Sequence, residues 1–104
     1  MRVDCVTVNV PTAGTRVQLH TGGSLNSKDK IMWARFKGRP NNTGTVYVGV
    51  ADVSATNGFS LENNDDAGIT FAFRDYGGSV EAQDFWLDAA TNNDKVEVAL
   101  ILVE

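Results

Sequence analysis

The sequence predicts an all-β protein: a single-domain β-sandwich, jelly-roll-like, of about eight short antiparallel strands. Three observations carry that class. Apolar residues recur at period two, as on one face of a strand, in most of the apolar segments. Clusters of Gly, Asn and Asp, residues suited to tight turns, separate those segments. Apolar spacing of three and four never persists for three turns between helix caps.

The first strand is expected over 3–10, where Val6, Val8 and Val10 face one way and Val3, Cys5, Thr7 and Asn9 the other; Pro11 and Thr12-Ala13-Gly14 close it. A short strand at 15–19 leads into the turn-rich stretches His20-Thr21-Gly22-Gly23-Ser24 and Asn26-Ser27-Lys28-Asp29. Over 30–37, Met32, Ala34 and Phe36 are expected to face the core, with Ile31 and Trp33 partly buried on the opposite side. Gly38-Arg39-Pro40-Asn41-Asn42 breaks the chain, and 45–50 resumes as a strand with Val46, Val48 and Val50 on one face. Residues 51–61 read as a loop with an extended piece at Phe59-Ser60-Leu61, followed by the turn Glu62-Asn63-Asn64-Asp65-Asp66.

The cleanest alternation, over 68–74, sets Ile69, Phe71 and Phe73 against Thr70, Ala72 and Arg74. Asp75-Tyr76-Gly77-Gly78-Ser79 turns the chain towards a short extended piece at 80–83 and a strand at 84–89, where Phe85 and Leu87 oppose Trp86 and Asp88. Thr91-Asn92-Asn93-Asp94 reads as a hairpin connection into the last strand, 95–103. That strand is apolar on both faces, with Val96, Val98, Leu100 and Leu102 on one and Ala99, Ile101 and Val103 on the other. Such a strand belongs in the middle of a sheet or beneath another subunit.

Composition bounds the function. With 104 residues the chain suits one domain, and 42% hydrophobic residues with nine aromatics suffice for one core. Nine Lys and Arg against thirteen Asp and Glu leave a net charge of −4, which disfavours nucleic acid and anionic membrane surfaces as partners. Lys28, Lys30, Arg35, Lys37 and Arg39 concentrate the positive charge locally, as a solvated face or as a contact for an acidic protein. The single cysteine, Cys5, excludes an intrachain disulfide and reads as a core or half-buried thiol. The N-terminal residues lack the apolar run of a signal peptide, and no stretch reaches the roughly 20 apolar residues of a membrane span, so a cytosol-like site of synthesis is expected.

Chemistry is sparse. His20, the sole histidine, lies in a Gly-rich loop far in sequence from Cys5 and reads as a surface residue rather than a catalytic base. Asp65 and Asp66 are adjacent, and adjacent residues of an extended segment point apart. The Glu62–Asp66 and Asp88–Asp94 regions offer the oxygen ligands calcium takes, without EF-hand spacing; plain turn chemistry is the simpler reading. Gly22-Gly23 and Gly77-Gly78 lack the lysine of a phosphate loop. Trp33, Trp86, Tyr47 and Tyr76 could line a carbohydrate platform, although strand alternation favours packing roles. No catalytic residue, cofactor or metal site is assigned, and an enzyme is not expected.

Three segments together carry a resemblance. Thr12-Ala13-Gly14-Thr15-Arg16-Val17-Gln18-Leu19 is the first; Asn42-Thr43-Gly44-Thr45-Val46-Tyr47-Val48-Gly49, with Asp52-Val53 and Asn57-Gly58-Phe59-Ser60-Leu61, is the second. Phe85-Trp86-Leu87-Asp88-Ala89-Ala90-Thr91-Asn92-Asn93-Asp94-Lys95-Val96 is the third. In pattern and order they resemble small β-rich virion proteins of tailed bacteriophages, of the capsid decoration or cement type. The chain departs from that pattern at Asn63-Asn64-Asp65-Asp66, where a Pro-Gly turn is usual, and in a longer insertion at 22–30, a surface loop expected to influence partner choice.

The resemblance implies a homotrimer bound to the major capsid protein on the capsid exterior, made in the host cytoplasm, without catalytic residues. Its candidate partner-interface residues are Met1, Arg2, Val3, Trp33, Ile101 and Val103. Residues 1–9 are expected to form an arm or strand free to join a neighbour, so that their deletion would weaken capsid binding more than folding. The alternative is a tail, neck or head-fibre component that binds host-surface glycan through Trp33, Tyr76 or Trp86.

Overall fold

The structure, a computed structural model, describes residues 2–23, 25–62, 68–72 and 80–103. Strands β1 (Arg2–Val10), β3 (Lys30–Gly38), β6 (Ile69–Ala72) and β9 (Asp94–Val103) form one sheet in the order β1-β9-β3-β6, and the two-residue β7 (Val80–Glu81) pairs with the start of β3. Strands β2 (Val17–Gln18), β4 (Val46–Gly49), β5 (Phe59–Leu61) and β8 (Trp86–Ala89) form a second sheet in the order β2-β8-β4-β5. All pairings are antiparallel. β1 pairs with β9, β2 with β8, β3 with β6 and β4 with β5, so the chain is one long hairpin of nested pairs rolled into two layers. That is the jelly-roll strand order.

Alternation explains the core. Val6, Val8 and Val10 of β1, Ala34 and Phe36 of β3, and Val96, Val98, Leu100 and Leu102 of β9 point inward from the larger sheet. They meet Val46 and Val48 of β4, Leu61 of β5, and Leu87 and Ala89 of β8, all buried. Phe36 packs against Phe71 and Phe85 with ring centroids 5.7 and 5.0 Å apart, which fills the side of the sandwich nearest β6.

Several expectations change in detail. In β3 the core-facing set is Ile31, Ala34 and Phe36, because the register against β9 shifts between Ile31 and Trp33. That bulge inserts one residue and returns Ile31 to the inner face. Val50 lies beyond β4 and is 62% exposed. Thr91-Asn92-Asn93-Asp94 is not a hairpin: it carries the chain from β8 in one sheet to β9 in the other, with Asn93 in the left-handed region at φ 66°. Cys5 is exposed, since the odd-numbered residues of β1 face outward. Phe73 and Arg74, the Asp65-Asp66 pair and Tyr76 lie outside the described residues.

The first strand also differs from a free arm. Arg2–Val10 pairs with β9 along its whole length, and its inner valines are part of the core. The even positions nearest its start, Arg2 and Asp4, stand in the core-facing register opposite Leu102 and Leu100. Asp4 accepts a hydrogen bond from the Cys5 N–H at 2.9 Å. Charged residues in the inward register of an edge strand oppose further strand pairing. β1 is therefore a guarded edge, integral to the fold.

Polar side chains lock one end of the sandwich. Asn42, buried, accepts from the Lys95 N–H and donates to the Lys95 carbonyl, both at 2.7 Å. Asp94, also buried, accepts from the backbone N–H groups of Thr43 and Gly44 at 2.9 and 2.8 Å. Asp88 accepts from Gly14 N–H, and Asn92 from Ala13 N–H. The Asn and Asp residues that read as turn formers thus tie three loops together through their side chains.

Candidate partner interface

The outer face of the larger sheet collects the candidate residues. Register places Val3 beside Ile101, Ile101 beside Trp33, and Trp33 beside Ala72, one row across four strands. Cys5, Ala99, Arg35 and Thr70 form the next row, and Thr7, Glu97 and Lys37 the one after. On the other side of the apolar row stand Val103 and Lys30. Because residues alternate between faces, all of these share the side opposite the core.

Exposure sharpens the pattern. Val3 is 73% exposed and Val103 45%, while Ile101, Trp33 and Ala99 are half-buried among their neighbours. A row spacing of about 6.8 Å and a strand spacing of about 4.8 Å give the apolar positions Val3, Ile101, Trp33, Ala72, Val103, Cys5 and Ala99 together an area on the order of 200 Å². A patch of that size is within the ordinary range for a monomer, so its shape as one continuous row, rather than its area, makes it the candidate contact. The area is about a quarter of the roughly 800 Å² that each partner of a stable complex contributes. Lys30 stands at one margin of the apolar row, and Arg35, Lys37 and Glu97 at the other, so charges of both signs flank it.

The six candidate residues fare differently. Val3, Trp33, Ile101 and Val103 come together on this face. Arg2 does not: its guanidinium reaches Asp29 at 3.3 Å, on the side of the inward register. Met1 lies outside the described residues. Cys5, Ala72 and Ala99 were not among the candidates, and only the pairing register brings them in. The signal available in sequence was the second apolar set of the last strand, which includes Ala99.

Elsewhere the polar residues serve the fold. The insertion at 22–30 is held down: the Ala82 and Gln83 N–H groups donate to the carbonyls of Asp29 and Ser27, and Leu25 is buried. His20 sits in a 3-10 turn, Leu19–Gly22, half-buried rather than superficial, with Nδ1 buried and lacking a hydrogen-bond partner among the described residues. A depression of about 260 Å³ lined by Arg39, Asn41, Asn42, Asn93, Asp94 and Lys95 lies at the locked end, and the Lys95 ammonium there donates to the Asn93 carbonyl.

The aromatic residues do not form one platform. Trp33 faces outward from the larger sheet, whereas Trp86 and Tyr47 face outward from the smaller one, on adjacent strands. Over that second face the β4–β5 loop folds back and buries Val53, whose side chain closes over Gly49 and Gly58. No family model and no curated protein matches the chain.

Proposed function

We propose that this chain is a virion structural protein of a tailed bacteriophage, a decoration or cement protein that binds the major capsid protein on the capsid exterior. The row Val3–Ile101–Trp33–Ala72, with Val103 beside it, is the observation that carries the reading. It supplies an apolar contact surface on a small β-sandwich that resembles such proteins in sequence pattern. Synthesis in the host cytoplasm and assembly as a homotrimer belong to the same reading. The net charge of −4 favours a protein partner over nucleic acid or an anionic membrane.

Mass action gives the mechanism. A protein that binds only the assembled lattice stabilises it by RT ln(1 + [L]/Kd), about 2.7 kcal/mol per site at a hundredfold excess over Kd. One face of on the order of 200 Å² would bind weakly alone. Three such faces on a trimer would engage adjacent capsid subunits with the gain of effective concentration.

The test pairs light scattering across a dilution series with co-sedimentation on expanded tailed-phage capsids stripped of decoration protein. The reading expects a trimer that sediments with the shells and raises their melting temperature. It expects Ile101→Glu to abolish sedimentation while the isolated chain keeps its own unfolding midpoint. A monomer that ignores the shells would overturn it. The second reading, a glycan-binding tail or head-fibre module, now rests on Trp86 and Tyr47, which share one outer face. A carbohydrate screen with Trp86→Ala as control addresses it.

A further inference from the structure

We infer that Asn57 is a site of spontaneous main-chain modification, deamidating through a cyclic imide to aspartate and isoaspartate, and that the product loosens the β4–β5 loop. Asn57 is the one asparagine in the chain followed by glycine. Both residues are exposed, so water and hydroxide reach them. Gly58 presents no Cβ to shield its backbone nitrogen, and the fold keeps it that way. At φ 138°, a Cβ there would lie 2.9 Å from the Val48 carbonyl oxygen and 2.8 Å from Val53 Cγ2.

Other asparagines are differently placed. The Asn42 amide is buried and both its ends hold the Lys95 backbone; Asn92 Oδ1 accepts from Ala13, and the residue after each carries a side chain. The Asn57 amide makes one exposed bond, from Nδ2 to the Asp52 carbonyl at 3.2 Å.

The step balances with water alone. After loss of its proton to hydroxide, the Gly58 nitrogen attacks Asn57 Cγ. The Cγ–Nδ2 bond breaks, ammonia leaves, and a five-membered imide closes. Water then opens the ring at Cγ, giving aspartate, or at the main-chain carbonyl, giving isoaspartate. Nothing is oxidised or reduced.

The isoaspartyl product has a consequence specific to this loop. Asn57 and Ser54 bond mutually through their backbones, Ser54 N–H to Asn57 O at 2.8 Å and Asn57 N–H to Ser54 O at 3.1 Å. In isoaspartate the chain runs on through Cγ, one methylene longer, and the former carbonyl becomes a free carboxylate. Gly58 then shifts against Val53, whose buried side chain depends on close approach to Gly58 and Gly49.

The full-length folded chain is held at mildly alkaline pH and physiological temperature, beside the same chain in denaturant. Each is sampled by peptide mass mapping and by isoaspartyl methyltransferase labelling. The expected result is conversion of the 57–58 peptide ahead of every other asparagine peptide. Its rate in the folded chain is expected within about tenfold of the denatured one, a barrier difference of about 1.4 kcal/mol. Faster proteolytic cleavage of the 50–58 loop in the converted fraction completes the expectation. Protection beyond that tenfold, earlier conversion elsewhere, unchanged proteolysis of the converted fraction, or persistence of the isoaspartyl label in Asn57→Gln would overturn the inference.

Discussion

Deleting residues 1–9 should unfold the domain. Among the residues removed, Val8 is fully buried and Val6 is 7% exposed. Burying a valine contributes about 1.5–3 kcal/mol, so the two side chains account for about 3–6 kcal/mol. Their loss also uncovers the flank of Val96, Val98 and Leu100, which β1 covers through its register with β9. The sum approaches the 5–15 kcal/mol that typically holds a whole domain together. Urea titration followed by far-ultraviolet circular dichroism is the assay, with Val3→Ser as control. Val3 is 73% exposed, and its replacement should shift stability by no more than about 0.5 kcal/mol. A deleted chain that still unfolds cooperatively within about 2 kcal/mol of the intact protein would refute the placement of β1 in the core.

Three further outcomes are expected. Asp94→Ala should cost about 2–4 kcal/mol in the same titration, because two backbone N–H groups lose a charged acceptor; a loss under about 0.5 kcal/mol would mean that water replaces it freely. Gly68→Ala should destabilise by about 1–3 kcal/mol, since Gly68 has φ 64° and a Cβ there would lie 2.5 Å from the Phe36 carbonyl oxygen; a neutral result by thermal melting would contradict that backbone placement. Cys5 should react fully with an aromatic disulfide reagent in the native protein, without denaturant, whereas a thiol that reacts only after unfolding would place it inside.

Much of the fold was legible because period-two alternation survives wherever one face is buried. Val6, Val8 and Val10 declare their face without ambiguity, and the last strand shows its period plainly although it is apolar on both faces. Where the sequence misled, a local device broke the period. The bulge between Ile31 and Trp33 reassigns Ile31 to the core, and no residue type there announces it. Cys5 looked apolar and therefore inward, but its parity with Val3 is what matters. The connection at Thr91-Asn92-Asn93-Asp94 carries the residues of a hairpin turn, yet turn chemistry cannot say whether the next strand returns to the same sheet. The outer-face cluster was legible residue by residue at Val3, Trp33, Ile101 and Val103. Its continuity was not, because a cross-strand row exists only after strand order and register are fixed.

The two outer faces are covered differently. On the smaller sheet, the chain covers its own surface: Val53, 1% exposed, lies over Gly49 and Gly58, and the Val53 carbonyl accepts from the Arg16 guanidinium at 3.5 Å. Two glycines without side chains make room for that closure, so the sequence spends conformational freedom to hide an apolar residue there. On the larger sheet, Val3 and Val103 stay exposed at the ends of β1 and β9, beside Ile101 and Trp33. Although Val50 and Phe59 are also exposed at the margin of the smaller sheet, the larger sheet thus leaves a four-strand apolar row open at both ends. A partner seated there would bury Val3 and Val103 without disturbing the core, because their inward neighbours Leu100 and Leu102 are already closed off. If a partner binds this face, substituting exposed Val3 or Val103 would separate binding from folding, whereas deleting β1 would not.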